Sequence, residues 1–301
     1  MTEEPAPAEQ TPASGVPLQD GPERQSFPFL VLQFFIFPMA IVAVCVTVFV
    51  VFGLIAAEGK GARDYLSEIR SGSANRRWQA AFELSKRLQA GKDPALADPK
   101  FAADVLTLFQ DSGSDDPRVR RYLAVTLGRL GERRAVPVLL ELLDAAGPQG
   151  DETLIYAIWA LGAIGDPTAA PGLIRLAQNE DPGVRKAVAH ALGAFAADTA
   201  REALHAALQD PVVDVRWNAA LALARRGDAA AAPVLGEMLD RARLAKVKEL
   251  SPEQQDEAVL QAVGAAPGLG DPVLRATLER LRAEDPSLKV REAARSALQA
   301  R

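Results

Sequence analysis

The sequence predicts an all-α protein in which an α-solenoid of stacked helical hairpins follows a single transmembrane helix. Three observations support this fold class: a long uncharged apolar run, a pattern that repeats every 31 to 34 residues, and a composition of 49% hydrophobic but only 6% aromatic residues. Such a composition favours tightly packed helices, since β-sandwiches are rich in β-branched and aromatic side chains. We divide the chain into a disordered, acidic and proline-rich tail (1–26), a transmembrane helix (27–57), a linker (58–74) and the solenoid (75–301).

Charge and residue counts argue against several classes of function. The formal net charge is -5, with 39 acidic and 34 basic residues, so the basic footprint of a nucleic-acid-binding protein is absent. One cysteine excludes a disulfide within the chain, and neither of the two histidines has a second His or Cys three to five residues away. The sequence also lacks a nucleophile elbow, a phosphate-binding loop and a dinucleotide fingerprint. We therefore predict no catalytic residue, metal site, cofactor or nucleic-acid partner.

The apolar run near the start has the properties of a membrane anchor. Residues 25–57 carry no charged side chain, and residues 38–57 as a helix would span about 30 Å, the thickness of a bilayer core. Only Arg24 precedes the run closely, whereas it is followed by five cations: Lys60, Arg63, Arg70, Arg76 and Arg77. By the positive-inside rule, we expect a single-pass protein of the inner (plasma) membrane with its solenoid in the cytoplasm.

A repeated motif organises the rest of the chain. Asp-Pro-x-Val-Arg occurs at residues 116–120 and 181–185, and looser copies occupy residues 210–216 and 285–291. Each copy predicts the start of a helix, because aspartate suits the N-cap and proline suits the first helical position.

Small residues mark where these helices end and where they meet their neighbours. Leu-Gly-x-x-Gly occupies residues 127–131 and 161–165. Its first glycine leaves room for a closely crossing helix, and its second suits the left-handed conformation that ends a helix. Ala-x-Pro-x-Leu then opens a second helix around Pro137, Pro171 and Pro233. One hairpin buries too little apolar surface to be stable alone, so the hairpins must stack.

In these motifs the chain resembles the HEAT-repeat superfamily, in its short subtype named after phycobilisome lyase subunits. The resemblance covers roughly residues 75–301 and implies a right-handed α-solenoid of about six HEAT-like hairpins that serves as a scaffold or binding surface. Two enzymatic roles occur among similar proteins. Deoxyhypusine hydroxylase binds iron through His-Glu dipeptides, which this sequence lacks, and bilin lyases attach chromophores, an activity that no residue here identifies.

The candidate partner-binding residues lie in an insertion and on the solenoid surface. Extra residues around 240–253 lengthen one repeat to 40 residues and include four cations, so we expect a basic helical extension that projects from the stack. We expect Trp217 to be an exposed aromatic residue, and we interpret the column that contains Trp159 and His190 as mainly packing. The complete set of candidates is Arg241, Arg243, Lys246, Lys248, Trp217, His205, Arg175 and Arg275.

The sequence thus predicts a non-catalytic, membrane-tethered scaffold or adaptor that binds a protein partner through its solenoid. An arginine column, Arg120, Arg185, Arg216 and Arg291, could grip phosphate, but we interpret it as pairing with caps or carboxylates of adjacent units. Two alternatives remain: an enzyme-associated role, such as a bilin lyase-like or maturation factor, and an accessory subunit of a membrane complex.

Overall fold

The computed structural model describes residues 36–57, 60–89, 91, 93–145, 152–248 and 250–299. Within these ranges the regular elements are helices, with no strand, which confirms the all-α fold. The chain forms two compact units, Met1–Gly59 and Lys60–Arg301. The predicted tail lies outside the described residues.

The first unit contributes one described helix, α1 (Phe37–Ala57). Its side chains are described as far as Val51, and all of these are exposed. Among the residues that the structure describes, no helix is long and apolar enough to cross a membrane. The prediction of a transmembrane helix over residues 27–57 is therefore not supported, and residues 27–35 of that segment lie outside the description.

The second unit is a row of stacked helical hairpins. Its helices are α2 (Ala62–Ser71), α3 (Ala74–Gln89), α4 (Pro99–Asp111), α5 (Pro117–Leu130), α6 (Val136–Ala145), α7 (Glu152–Ile164), α8 (Ala170–Arg175), α9 (Pro182–Leu192), α10 (Asp198–Ala207), α11 (Val213–Ala224), α12 (Ala232–Leu239), α13 (Arg241–Leu244), α14 (Pro252–Ala265), α15 (Pro272–Glu284) and α16 (Leu288–Gln299). The first helices of the hairpins pack in the order α3, α5, α7, α9, α11, α14, with α16 next in this row, and the second helices form a row beside them. The described residues thus form six hairpins, with α2 before them, α16 after them and α13 inserted between α12 and α14.

Helix α2 occupies the segment that we predicted to be a linker. Ala62, Leu66 and Ile69 lie on one face of α2 and are buried, and the helix packs on α3 and α4. The linker prediction is wrong for this stretch, because the i, i+4, i+7 spacing of its apolar residues forms an amphipathic helix that extends the second row. The solenoid therefore begins before residue 75.

The repeated motifs act as predicted. The carboxylate of Asp116 accepts a hydrogen bond from the backbone N–H of Arg118 at 2.9 Å, which caps α5. Gly131 ends that helix with a left-handed backbone (φ 63°). A Cβ atom added at Gly162 would lie 2.8 Å from the Cα of Ala191, so this glycine allows α7 and α9 to cross closely.

One continuous core runs through the solenoid. The repeated leucines Leu127, Leu161, Leu192 and Leu223 are all buried and belong to a single hydrophobic cluster. The last helix buries Val290 and its neighbours against α14 and α15, and so extends that core to the end of the row.

Candidate partner-binding surfaces

The insertion after α12 folds back onto the stack. Asp240 caps the short helix α13, and Leu244 at the end of α13 is buried. The guanidinium of Arg241 binds the carboxylate of Asp285 through Nε (2.9 Å) and Nη2 (2.8 Å), and its Nη1 lies 2.7 Å from Oδ1 of Asp256. The prediction of a projecting basic extension is wrong for this part, because a buried leucine and a buried ion pair anchor it.

The ion pair of Arg241 is structural. The side chain of Asp285 is completely buried, with 0% exposure, and it also accepts a hydrogen bond from the backbone N–H of Ser287 at 2.9 Å. Hydrogen bonding to Asp285 raises the pKa of Arg241. The pair ties the insertion to the start of α16, so Arg241 is not free to contact a partner.

The other cations of the insertion are exposed. Arg243 lies 3.2 Å from Glu237 and 3.6 Å from the carboxylate of Asp240. Lys246 and Lys248 are exposed and form no ion pair with any described residue. The free charge of the insertion therefore resides on these two lysines.

The candidates on the second helices are exposed, and two of them lie on α8 and α10, which contact each other. Arg175 of α8 pairs with Asp144 of α6. Nε2 of His205 in α10 lies 2.7 Å from Oδ2 of Asp228, and this hydrogen bond lowers the pKa of the Asp228 carboxyl. Arg275 of α15 is exposed and lies 3.9 Å from a glutamate one turn later. Among the described contacts, no hydrogen bond or ion pair joins any two of these three residues, and each pairs with a different acid.

Trp217 is buried, with an exposure of only 8%. The expectation that it is exposed is wrong. Its indole belongs to the hydrophobic core, where it fills space beside the small alanine side chains of α11. Its Nε1–H is buried without a hydrogen-bond partner among the described residues. The ring therefore contributes apolar packing, while the unsatisfied N–H lowers the stability of the fold.

A cluster of aromatic side chains lies instead on the first helices of the first three hairpins. Phe82 of α3, Tyr122 of α5, and Tyr156 and Trp159 of α7 form a chain of ring contacts, with centroids separated by 5.2, 6.1 and 5.3 Å. Phe82 is 37% exposed and Trp159 is 45% exposed. We refer to these four residues as the aromatic patch.

Sequence reasoning missed the aromatic patch because it assigned the column of Trp159 to packing. A usable signal was present. Phe82 and Trp159 occupy equivalent positions in their repeats, as do Tyr122 and Tyr156, and the two columns are three residues apart on one helix face. Aromatic residues that recur in one or both of these columns over three successive units predict a continuous surface cluster.

The arginine column holds neighbouring loops in place. Arg185 binds the carboxylate of Asp210 through Nε (2.7 Å) and Nη2 (3.1 Å) and donates to the carbonyl of Asn179 at 2.8 Å. Arg216 donates to the carbonyl of Asp210 at 2.9 Å, and Arg120 lies over the ring of Phe109. The guanidinium groups of these three arginines therefore contact other parts of the protein, as the structural interpretation of the column predicts.

The described residues contain no group of three or more His, Cys, Asp or Glu side chains placed to hold a metal ion.

Comparisons with known proteins agree with the fold. A family model of HEAT repeats matches residues 148–214 and 191–253, and a model of the PBS lyase HEAT-like repeat matches residues 119–145. The chain is similar to the complex of CpcE and CpcF of phycocyanin lyase from Nostoc sp. PCC7120, with 22% identity over 81% of this chain and 89% of that chain and a TM-score of 0.56. This likeness supports a HEAT-like solenoid.

Two other solved structures match less well. The archaeal HEAT-like repeats protein from Thermococcus onnurineus NA1 has 16% identity over 80% of this chain and 97% of that chain, with a TM-score of 0.39. Human deoxyhypusine hydroxylase has 19% identity over 79% of this chain and 83% of that chain, with a TM-score of 0.33. No curated protein matches the chain.

Proposed function

We propose that this protein is a non-catalytic scaffold or adaptor whose HEAT-like solenoid binds a protein partner. The observation that carries this proposal is the aromatic patch, which leaves the rings of Phe82 and Trp159 partly exposed. Aromatic residues are enriched in protein interfaces, and tryptophan and tyrosine often contribute most of the binding energy.

The repeat architecture suits this role. Each hairpin packs mainly on its neighbours, so side chains at equivalent positions of successive helices are held at fixed spacing. Such a surface is ordered before a partner arrives, which reduces the entropy lost on binding. The exposed candidates Lys246, Lys248, Arg175, Arg275 and His205 remain proposed secondary contacts.

We also propose that residues 27–57 attach the scaffold to the inner (plasma) membrane, with the solenoid in the cytoplasm. The uncharged apolar sequence, the cations after it and the exposed apolar side chains of α1 support this proposal. Deleting residues 25–57 should move the protein from the membrane fraction to the supernatant. Unchanged fractionation, or a C-terminal reporter that is active only outside the cytoplasm, would contradict it.

An enzyme-associated role is the second candidate. It is supported by the match of residues 119–145 to the PBS lyase HEAT-like repeat and by the likeness to a phycocyanin lyase complex. In this role the solenoid would act as a subunit of a lyase-like or maturation complex, and the same surface would contact the client or the second subunit.

Purification of the tagged full chain from its host distinguishes the two roles. We expect a protein partner in fixed ratio, identified by mass spectrometry, and no visible absorption from a chromophore. A retained chromophore or metal would favour the enzyme-associated role. A chain that purifies alone under conditions that preserve other complexes would overturn the scaffold proposal.

A further inference from the structure

We infer that the aromatic patch, together with a line of unpaired cations beside it, is a docking site for an acidic polypeptide segment with an apolar anchor side chain. This inference rests on the proposed scaffold function and specifies the partner's chemistry.

The apolar part of the site extends beyond the aromatic patch. The column that contains Phe82 and Trp159 continues with Val125, His190 and Leu221, and none of these side chains is buried. Burial by its neighbours and the charge of Arg225 both lower the pKa of His190. The first helices of five successive hairpins thus present a band that contains no Asp, Glu, Lys or Arg side chain.

Cations line one edge of this band. Lys86 of α3, Arg129 of α5 and Arg225, the residue that follows α11, occupy equivalent positions one turn after the column of Phe82 and Trp159. The corresponding residues of the two intervening repeats are Ala163 and Ala194, which are exposed and small. The edge thus has charge at both ends and an apolar stretch in the middle.

None of these cations forms an ion pair with a described carboxylate. Arg129 donates only to the carbonyl of Ser85 among the described residues, and burial lowers its pKa. Lys86 and Arg225 are exposed. The Nη2 atom of Arg225 lies beside Gly193 of the preceding repeat, where a Cβ added to that glycine would be 2.6 Å from it.

The opposite edge of the band is neutral. Arg121 pairs with Glu152, and Lys186 lies 2.8 Å from the carboxylate of Asp214. The unpaired positive charge therefore forms a single line that crosses the helices, rather than a broad basic surface. An extended chain with carboxylates at its ends and an apolar side chain between them complements this arrangement, whereas an anionic membrane favours a broad basic surface.

The test uses the full chain and a phage-displayed library of random peptides. We expect selected peptides to carry Asp or Glu on both sides of an aromatic or aliphatic residue. In fluorescence anisotropy with a synthetic selected peptide, Trp159→Ala should weaken binding by about tenfold or more. The double variant Lys86→Glu/Arg225→Glu should weaken it and remove most of its salt dependence.

Matched controls separate the possible outcomes. Arg282→Glu, which reverses an exposed cation of α15 that forms no ion pair with a described residue, should leave peptide binding unchanged. Selected peptides without carboxylates, or equal losses from Arg282→Glu, would overturn the inference. Binding to phosphatidylglycerol vesicles that Trp159→Ala abolishes would assign the patch to membrane, and loss of self-association in that variant would assign it to a second copy.

The inference and the proposed function can fail separately. If the Trp159→Ala variant still purifies with the same protein partner, the scaffold function stands and the docking site is wrong. If neither the wild-type chain nor the variant purifies with a partner, the scaffold function itself fails. Circular dichroism of each variant confirms that its helices are intact.

Discussion

Replacing Arg241 with alanine should destabilise the C-terminal hairpins, although the sequence suggests that this cation is available for binding. The change removes both hydrogen bonds between the guanidinium and the completely buried carboxylate of Asp285 and a third to Asp256. The carboxylate would keep only its bond from the N–H of Ser287. Removing one partner of a buried ion pair costs about 3–5 kcal/mol, because the other charge stays buried.

The loss in free energy of unfolding caused by Arg241→Ala should lie near the lower end of that range. The Arg241 side chain retains 24% exposure, so water can reach part of the site. Arg243→Ala is the matched control. This arginine is two positions away and its side chain is 62% exposed, so its ion pairs should contribute no more than about 1 kcal/mol.

Hydrogen exchange read by mass spectrometry suits this comparison, because a repeat protein does not unfold in a single step. Arg241→Ala should raise exchange in α12 to α16 and leave α3 to α7 unchanged, whereas Arg243→Ala should match the wild type. Adding Asp285→Asn to Arg241→Ala should recover part of the loss, because the unpaired charge is gone. Equal protection in the two single variants would refute the reasoning.

Three further predictions test the stack and its caps. Gly162→Ala should cost about 1–3 kcal/mol, because the new Cβ would lie 2.8 Å from the neighbouring helix, whereas Gly264→Ala, with open space around it, should be neutral or stabilising in thermal denaturation. Leu192→Asp places a charge at a position with 1% exposure and should cost about 3–5 kcal/mol, with exchange spreading outward from α9; uniform protection would contradict nearest-neighbour stacking. The guanidinium and backbone N–H of Arg118 lower the pKa of Asp116 from 3.8 to about 2, so its capping contribution is complete above the unfolded value and is lost as the pH falls through about 2. A carboxyl NMR titration of Asp116 centred near 3.8 would contradict this.

The solenoid could be predicted from sequence because its determinants are local. An aspartate cap, a proline at the first turn and a glycine at the end act within one helix, and their recurrence revealed the stacking. Helix α2 could also have been predicted, because Leu66 and Ile69 follow helical spacing. The glycines on both sides of this segment are typical of a linker and favour the wrong prediction.

The surface could not be predicted in the same way. Whether a large side chain in an outer column is buried depends on the side chains of the next repeat, which differ from unit to unit. Trp217 of the alanine-rich helix α11 is buried in the core, whereas Trp159, whose ring contacts Tyr156, remains half exposed. The partner of Arg241 lies 44 residues away in the sequence, beyond any local motif.

Site-specific photo-crosslinking in the native host tests the central claim most directly. Benzoylphenylalanine replaces the exposed Trp159 in one strain and the exposed Arg282 in another, both in the full chain. We predict a crosslinked polypeptide from position 159, containing acidic residues at the point of attachment, and none from position 282. A crosslink at position 282 alone would contradict a scaffold that binds its partner through the aromatic patch, and so would labelled lipid instead of a polypeptide at position 159.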